Sequence, residues 1–263
     1  MHPELIRVGG FVLPTYGVLV ATGFFAALAM LRKRAPRFGI HPDAAIDFGV
    51  WVLLAGLLGA KLLLVLVDGP SRYLTSLEGL KELARAGGVF YGGLLGAIVA
   101  AVVVMRARGL SFFAIADATA PCIALGQAIG RLGCFSAGCC WGQECSLPWA
   151  VTFTDPVASA NVGVPLGVPL HPSQLYEALG TALLCLLILK LERRRFSGES
   201  FAMYLTGSAV IRFSLELLRG DPRGAIGPFS TSQFIAAGLL ALAFAIWLSR
   251  RHVPSEAPLP AGG

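Results

Sequence analysis

Long apolar stretches alternate with short polar ones along nearly the whole chain. Seven stretches approach or exceed the length a helix needs to cross a bilayer: 10–31, 44–67, 89–105, 112–129, 174–191, 201–218 and 231–248. Several carry small residues at short spacing, as at Ala55, Gly56, Gly59 and Ala60, or at Gly92, Gly93, Gly96 and Ala97. Small side chains let helix backbones approach closely in lipid. The pattern predicts an all-α membrane protein of seven transmembrane helices, forming one polytopic domain over 1–252, with a flexible tail at 253–263. Two connections are long. Segment 68–88 repeats Leu74, Leu77, Leu80 and Leu83 at helical spacing, and 130–173 is rich in Gly, Cys and Pro.

Composition narrows the class. Of 263 residues, 56% are hydrophobic and 14% charged, with 32 glycines besides, against about 25% charged residues in an ordinary soluble domain. A soluble enzyme, a disordered chain and a secreted disulfide scaffold are excluded. The net charge of +6 is explained by topology, without nucleic acid. Arg32, Lys33, Arg34 and Arg37 follow the first stretch, and Arg106 and Arg108 the third. Lys190, Arg193, Arg194 and Arg195 follow the fifth, and Arg250 and Arg251 the last. With seven crossings all twelve share one side, which the positive-inside rule assigns to the cytoplasm. The N-terminus then lies outside and the C-terminus inside. Met1-His2-Pro3-Glu4 has no basic n-region and no small-residue cleavage site follows, so no cleaved signal peptide is expected.

Ionisable groups inside apolar stretches are costly and mark functional sites. Lys61 and Arg212 each fall about 10 Å below the outer end of their stretch. Arg131 ends the fourth. Tyr16 and Tyr91 fall near the outer ends of the first and third, and His171 and Glu177 at the outer start of the fifth. Together they describe a polar cavity open toward the outer leaflet. Arg212, Glu216 and Arg219 are spaced i, i+4, i+7 and share a helix face. They form either a self-neutralising pair or, with Arg131 and Lys61, an excess of positive charge. Such an excess calls for an anion, and the most available one there is a phospholipid headgroup.

The motifs that carry these groups resemble the prolipoprotein diacylglyceryl transferases. Gly130-Arg131-Leu132-Gly133-Cys134-Phe135 with Gly138 and Trp141-Gly142, and His171-Pro172-Ser173-Gln174-Leu175-Tyr176-Glu177, are similar to family strings. So are Tyr16-Gly17, Gly92-Gly93-Leu94-Leu95-Gly96, Arg212 with Glu216, and Ser232-Gln233. The resemblance runs from about Val12 to Leu248. It implies transfer of the diacylglyceryl group of phosphatidylglycerol to the lipobox cysteine thiol of a preprolipoprotein. The reaction would occur at the outer face of the bacterial inner membrane, with release of glycerol phosphate. By resemblance Arg131 and Arg212 attend the headgroup phosphate. Glu216, Tyr91 and His171 join the catalytic set, and Tyr16, Lys61, Gly92, Gly93, Gly142 and Arg219 the substrate-binding set. No cofactor is implied. The partners are phosphatidylglycerol, the lipobox peptide and membrane lipids.

This chain departs from the family at several of these positions. Tyr91 stands where the family has His, Cys134 where it has Asn, Cys139 or its neighbour where it has Glu, and Lys61 where Arg is usual. A tyrosine, with a reference pKa near 10, is a poor base, which leaves His171 as the other candidate. The departures keep two other readings open: a transferase of the same fold with another lipid or acceptor, and a non-catalytic anionic-lipid-binding protein. A third is a thiol-redox protein built on the cysteines. Cys134, Cys139, Cys140 and Cys145 fall within twelve residues. Their spacing lacks the paired pattern usual for zinc, and the outer face is oxidising. Disulfides rank first for them, a structural thiol next, a catalytic thiol or metal last, so no metal site is expected. Cys122 and Cys185 read as apolar filler.

Overall fold

The computed structural model describes residues 3–8, 11–221, 224–226 and 229–253. Most of the tail predicted at 253–263 therefore lies outside the described residues. The chain opens with an antiparallel hairpin, β1 (Glu4–Val8) and β2 (Phe11–Pro14), that delivers α1 (Thr15–Arg34). The first apolar stretch thus begins as a strand, and its helix starts after Pro14. A 3-10 turn over Ala35–Phe38 ends at Gly39, whose left-handed φ of 70° stops the helix. Then come α2 (Pro42–Asp68), α3 (Pro70–Leu74), α4 (Leu77–Arg85), α5 (Phe90–Ala107) and α6 (Phe112–Ala137). The segment 68–88 therefore holds two short helices, and Leu77, Leu80 and Leu83 of the helical spacing lie on α4.

Helix α6 runs two turns beyond the predicted end at 129, so Gly130-Arg131-Leu132-Gly133-Cys134 is helical and the connection begins at Gly138. That connection forms a small cap of its own. Two-residue strands β3 (Val151–Thr152) and β4 (Pro169–Leu170) pair around α7 (Pro156–Val162), over a core of Trp141, Phe153, Ala158, Val164 and Leu170. Helices α8 (Ser173–Leu191) and α9 (Glu199–Glu216) follow. A hairpin of β5 (Ala225–Ile226) and β6 (Phe229–Ser230) leads into α10 (Thr231–Arg250), which starts with a Ser230–Gln233 capping box.

Among the described residues, six helices are long and apolar enough to cross a membrane: α1 with its 3-10 extension, α2, α5, α6, α8 and α10. The seventh predicted crossing is α9, whose eighteen residues include Glu199, Arg212 and Glu216, so length and composition do not place it among the six. It packs against α8, α10 and α6.

Two features set the packing. In the α2–α5 pair glycines replace side chains at the seam: a Cβ on Gly59 would lie 2.3 Å from Gly92 O, and one on Gly96 2.3 Å from Ala55 O. In α6, Pro121 cannot donate to the carbonyl of Asp117. Buried Arg34 turns to that carbonyl and its neighbour, with Nε 3.2 Å from Ala118 O and Nη2 3.5 Å from Asp117 O. The same guanidinium binds Glu192 beyond α8, which also accepts from Ser200 at 3.0 Å. The Asp117 carboxylate takes the backbone N–H groups of Gly198 (2.7 Å) and Phe201 (2.9 Å) at the start of α9. The basic connections after α1 and α8 therefore meet at one end of the bundle, and Ser197 N donates to Val253 O there.

Candidate functional site

At the opposite end, one buried carboxylate organises four helices. Glu177 lies one turn into α8, 5% exposed. Arg131 of α6 reaches it with Nη2 2.9 Å from Oε1. Arg212 of α9 reaches it with Nη1 3.3 Å from both oxygens, and its Nη2 donates to Ser232 Oγ of α10 at 3.3 Å. Two guanidinium charges thus share one carboxylate, and the cluster keeps a net positive charge. Each arginine is planar, permanently charged and rich in donors, the chemistry that binds a phosphate oxygen pair.

The predicted face of Arg212, Glu216 and Arg219 is resolved differently. The carboxylate that Arg212 meets is Glu177, not Glu216, because α9 presents it toward α8. Arg219 lies beyond the end of α9, buried, with Nε and Nη2 on the Asp221 carboxylate at 2.7 and 2.9 Å. Burial opposes its charge, yet Asp221 and Cys140 outweigh that, and its pKa stands above the ordinary arginine value.

The end of α6 is held under the cap by α8. Fully buried Gln174 and Ser173 donate to the carbonyls of Cys139 (2.8 Å) and Cys140 (2.7 Å). Gly142 threads between two other segments. A Cβ there would lie 2.5 Å from His171 Cβ and 2.9 Å from Leu218 O, so only glycine fits. Its N–H donates to His171 O at 3.2 Å, and Gly220 N donates to Trp141 O at 3.1 Å. Arg131 also sits 3.9 Å from Cys134 Sγ by its Nη1. The sulfurs of Cys134, Cys139 and Cys140 all lie within 4.8 Å of one another. All six cysteines are unbonded, and Cys145 stands outside that group. Thiol donors from Cys134 and Cys139, with Arg219 beside them, hold the Cys140 thiol below its ordinary pKa against the effect of burial. Tyr16, in the first turn of α1, packs its ring on Gly133, two residues from Arg131 in α6.

Other predicted residues lie elsewhere. Lys61 does not join the arginines. Its ammonium caps the end of α4, donating to Leu83 O (2.6 Å), Ala84 O (3.3 Å) and Ala86 O, which suits a cation at a helix C-terminus. Gly92 and Gly93 belong to the α2–α5 seam, facing Gly59 O and Gly56 O. Tyr91 is 59% exposed and edge-on to Phe90. His171 Nδ1 lies 3.4 Å from Tyr176 Oη, which accepts from Trp149 Nε1 at 2.7 Å. That network belongs to the cap. Sequence reasoning placed Glu177 at the outer start of its helix but missed its role as hub. The signal was present, since Gln174 and Glu177, three apart, share a helix face with the buried Ser173 beside them. Below Arg131, an apolar cleft of about 540 Å³ runs between α1, α2 and α6, lined by Val20, Phe24, Leu28, Val52 and Ile123 and reaching Gln127, one turn from Arg131.

Fold and site together define a multi-pass membrane protein in which two half-buried arginines clamp a buried carboxylate above an apolar cleft. The family model described as prolipoprotein diacylglyceryl transferase matches residues 3–249, and the chain belongs to that family. Curated relatives named phosphatidylglycerol–prolipoprotein diacylglyceryl transferase include those of Clostridium tetani, 35% identical over 90% of this chain and 92% of the relative; Geobacter sulfurreducens, 34% identical over 96% and 97%; and Solidesulfovibrio magneticus, 33% identical over 97% and 98%.

Proposed function

We propose that this protein transfers the diacylglyceryl group of phosphatidylglycerol to the lipobox cysteine thiol of prolipoproteins and releases glycerol phosphate. The observation that carries the reading is the double engagement of Glu177 by Arg131 and Arg212. A headgroup phosphate enters as a second anion for the two guanidinium groups. The acceptor thiolate attacks the glyceryl carbon, the carbon–oxygen bond to phosphate breaks, and charge grows on the departing oxygen. Donors held in place by Glu177 stabilise that charge without reorganising. The apolar cleft one turn below Arg131 has room for acyl chain. Tyr16, beside Arg131 at the mouth, lines the path of the acceptor, and the cap that contains His171 and Gly142 roofs it.

The reaction takes place at the outer leaflet of the bacterial inner membrane. In this reading α9 is a seventh crossing. Its eighteen residues span about 27 Å, and Arg212 turns inward to Glu177 and Ser232, so lipid does not meet that charge. The basic end of the bundle, with Arg34, Arg37 and Arg108, then faces the cytoplasm and the N-terminus lies outside.

The test is mass spectrometry of a lipobox peptide incubated with the protein and phosphatidylglycerol. A gain of one diacylglyceryl unit is expected, lost in Arg131→Ala and Arg212→Ala variants that still unfold cooperatively. An unmodified peptide with the folded wild-type protein would overturn the reading.

A further inference from the structure

The transfer chemistry above leaves open how the acceptor thiol becomes a thiolate, since Tyr91 is exposed and edge-on to Phe90 and His171 is tied into the cap. The three thiols beside Arg131 bear on this. Their geometry is built into the fold. Gly138, with φ 76°, turns the chain back onto the end of α6, so that Cys139 and Cys140 meet Cys134. Buried Gln174 and Ser173 pin the two carbonyls. Cys140 takes a left-handed φ of 65°, a conformation that a side-chain-bearing residue keeps only where its surroundings enforce it.

Three sulfurs within 4.8 Å of one another stand near the geometry of a thiolate metal site. Tetrahedral zinc with Zn–S bonds of about 2.3 Å sets its sulfurs about 3.8 Å apart, so shifts of about an ångström complete the site. Three protein ligands leave a fourth position for an exchangeable one, as in catalytic zinc sites. Three thiolates around a divalent ion carry one net negative charge. Arg131 Nη1, 3.9 Å from Cys134 Sγ, and Arg219, hydrogen-bonded to Cys140, are placed to balance it. Arg131 also joins this group to the clamp, because its other terminal nitrogen holds Glu177 at 2.9 Å.

We propose that Cys134, Cys139 and Cys140 bind a thiophilic divalent ion, zinc by softness and geometry, and that the acceptor cysteine thiol is its fourth ligand. The inference rests on the transferase reading. Coordination deprotonates the acceptor thiol, and its proton passes to water at the mouth of the site. The sulfur electron pair then forms the bond to the glyceryl carbon. The pair of the broken carbon–oxygen bond leaves on glycerol phosphate, one guanidinium width away on Arg131 and Arg212. No side-chain base is required.

The experiment uses the full chain in detergent, reduced with a phosphine and stripped with chelator. Co²⁺ titration should give sulfur-to-cobalt charge-transfer absorption that Zn²⁺ bleaches, with one ion per chain by elemental analysis. A lipobox peptide should perturb that spectrum, and the same peptide with serine in place of cysteine should not. Cys139→Ser should weaken binding about tenfold or more, whereas Cys145→Ser should bind as the wild type does. Transfer by the stripped protein should rise about tenfold or more on adding Zn²⁺. Failure of the reduced wild type to take up Co²⁺ would overturn the inference, as would full transfer without metal; in that second case the transferase reading stands. A bound ion with no product under any condition would instead overturn the transferase reading and with it the fourth-ligand role.

Discussion

Replacing Glu177 by glutamine tests the clamp most directly. The side chain keeps its size and one carbonyl acceptor but loses the charge that two arginines share. At 2.9 and 3.3 Å each pair is worth about 5 kcal/mol of Coulomb attraction at an effective dielectric of about 20. Desolvation offsets much of that, and removing one partner of a buried pair costs about 3–5 kcal/mol net. The retained acceptor favours the lower end, about 3 kcal/mol. At about 2–4 °C per kcal/mol, Glu177→Gln should melt about 6–12 °C below the wild type in phosphatidylcholine micelles. The two unneutralised guanidinium groups then become a stronger anion site. Phosphatidylglycerol should therefore raise the melting temperature of the variant more than that of the wild type, recovering at least half of the loss, because a ligand that binds only the folded state stabilises it by mass action. Thermal unfolding in the two lipids measures both effects. Equal melting in phosphatidylcholine would refute the energetic role of Glu177. An equal increment from phosphatidylglycerol in both proteins would refute the claim that the clamp binds the headgroup.

Three further outcomes follow from the packing. Lys61→Met should free the end of α4 and speed hydrogen exchange across 77–86, with a cost of about 1–3 kcal/mol for the carbonyls left without their donor, while leaving headgroup binding unchanged. Gly59→Ala puts a Cβ 2.3 Å from Gly92 O, and the α2–α5 pair should lose about 1–3 kcal/mol or fail to assemble, seen as reduced yield of folded protein by size-exclusion chromatography. Asp117→Ala leaves the Gly198 and Phe201 N–H groups unpaired in a buried site. It should cost about 1–3 kcal/mol, with exchange rising first in the opening turn of α9.

Much of the fold was legible because apolar length is a direct signal in lipid. Helices α5 and α8 begin within one residue of their expected starts, and α6 begins at the expected Phe112. The extension of α6 to Ala137 was not legible. Gly130, Gly133 and Cys134 read as loop-formers, yet Gly133 is needed there for Tyr16 to pack against. Of the site, Arg131 and Arg212 were legible as charges within or at the end of apolar stretches. Their shared partner was not, since helical spacing along α9 points to Glu216 and nothing local reports that α9 turns Arg212 toward α8. Lys61 misled for a related reason: its partners are carbonyls at the end of α4, and such partners leave no trace in side-chain patterns. The three sulfurs converge only because Gly138 reverses the chain, which spacing alone does not reveal.

Helices α6 and α9 are joined at both ends. Asp117 grips the start of α9 at the basic end, and Glu177 holds Arg131 and Arg212 together at the other. Such a pair behaves as a riveted strut. When the bilayer thins or thickens, a strut adapts by tilting as one body, and the gap between its two guanidinium groups does not open. The spacing between the two guanidinium groups is thereby expected to stay fixed in bilayers of differing thickness.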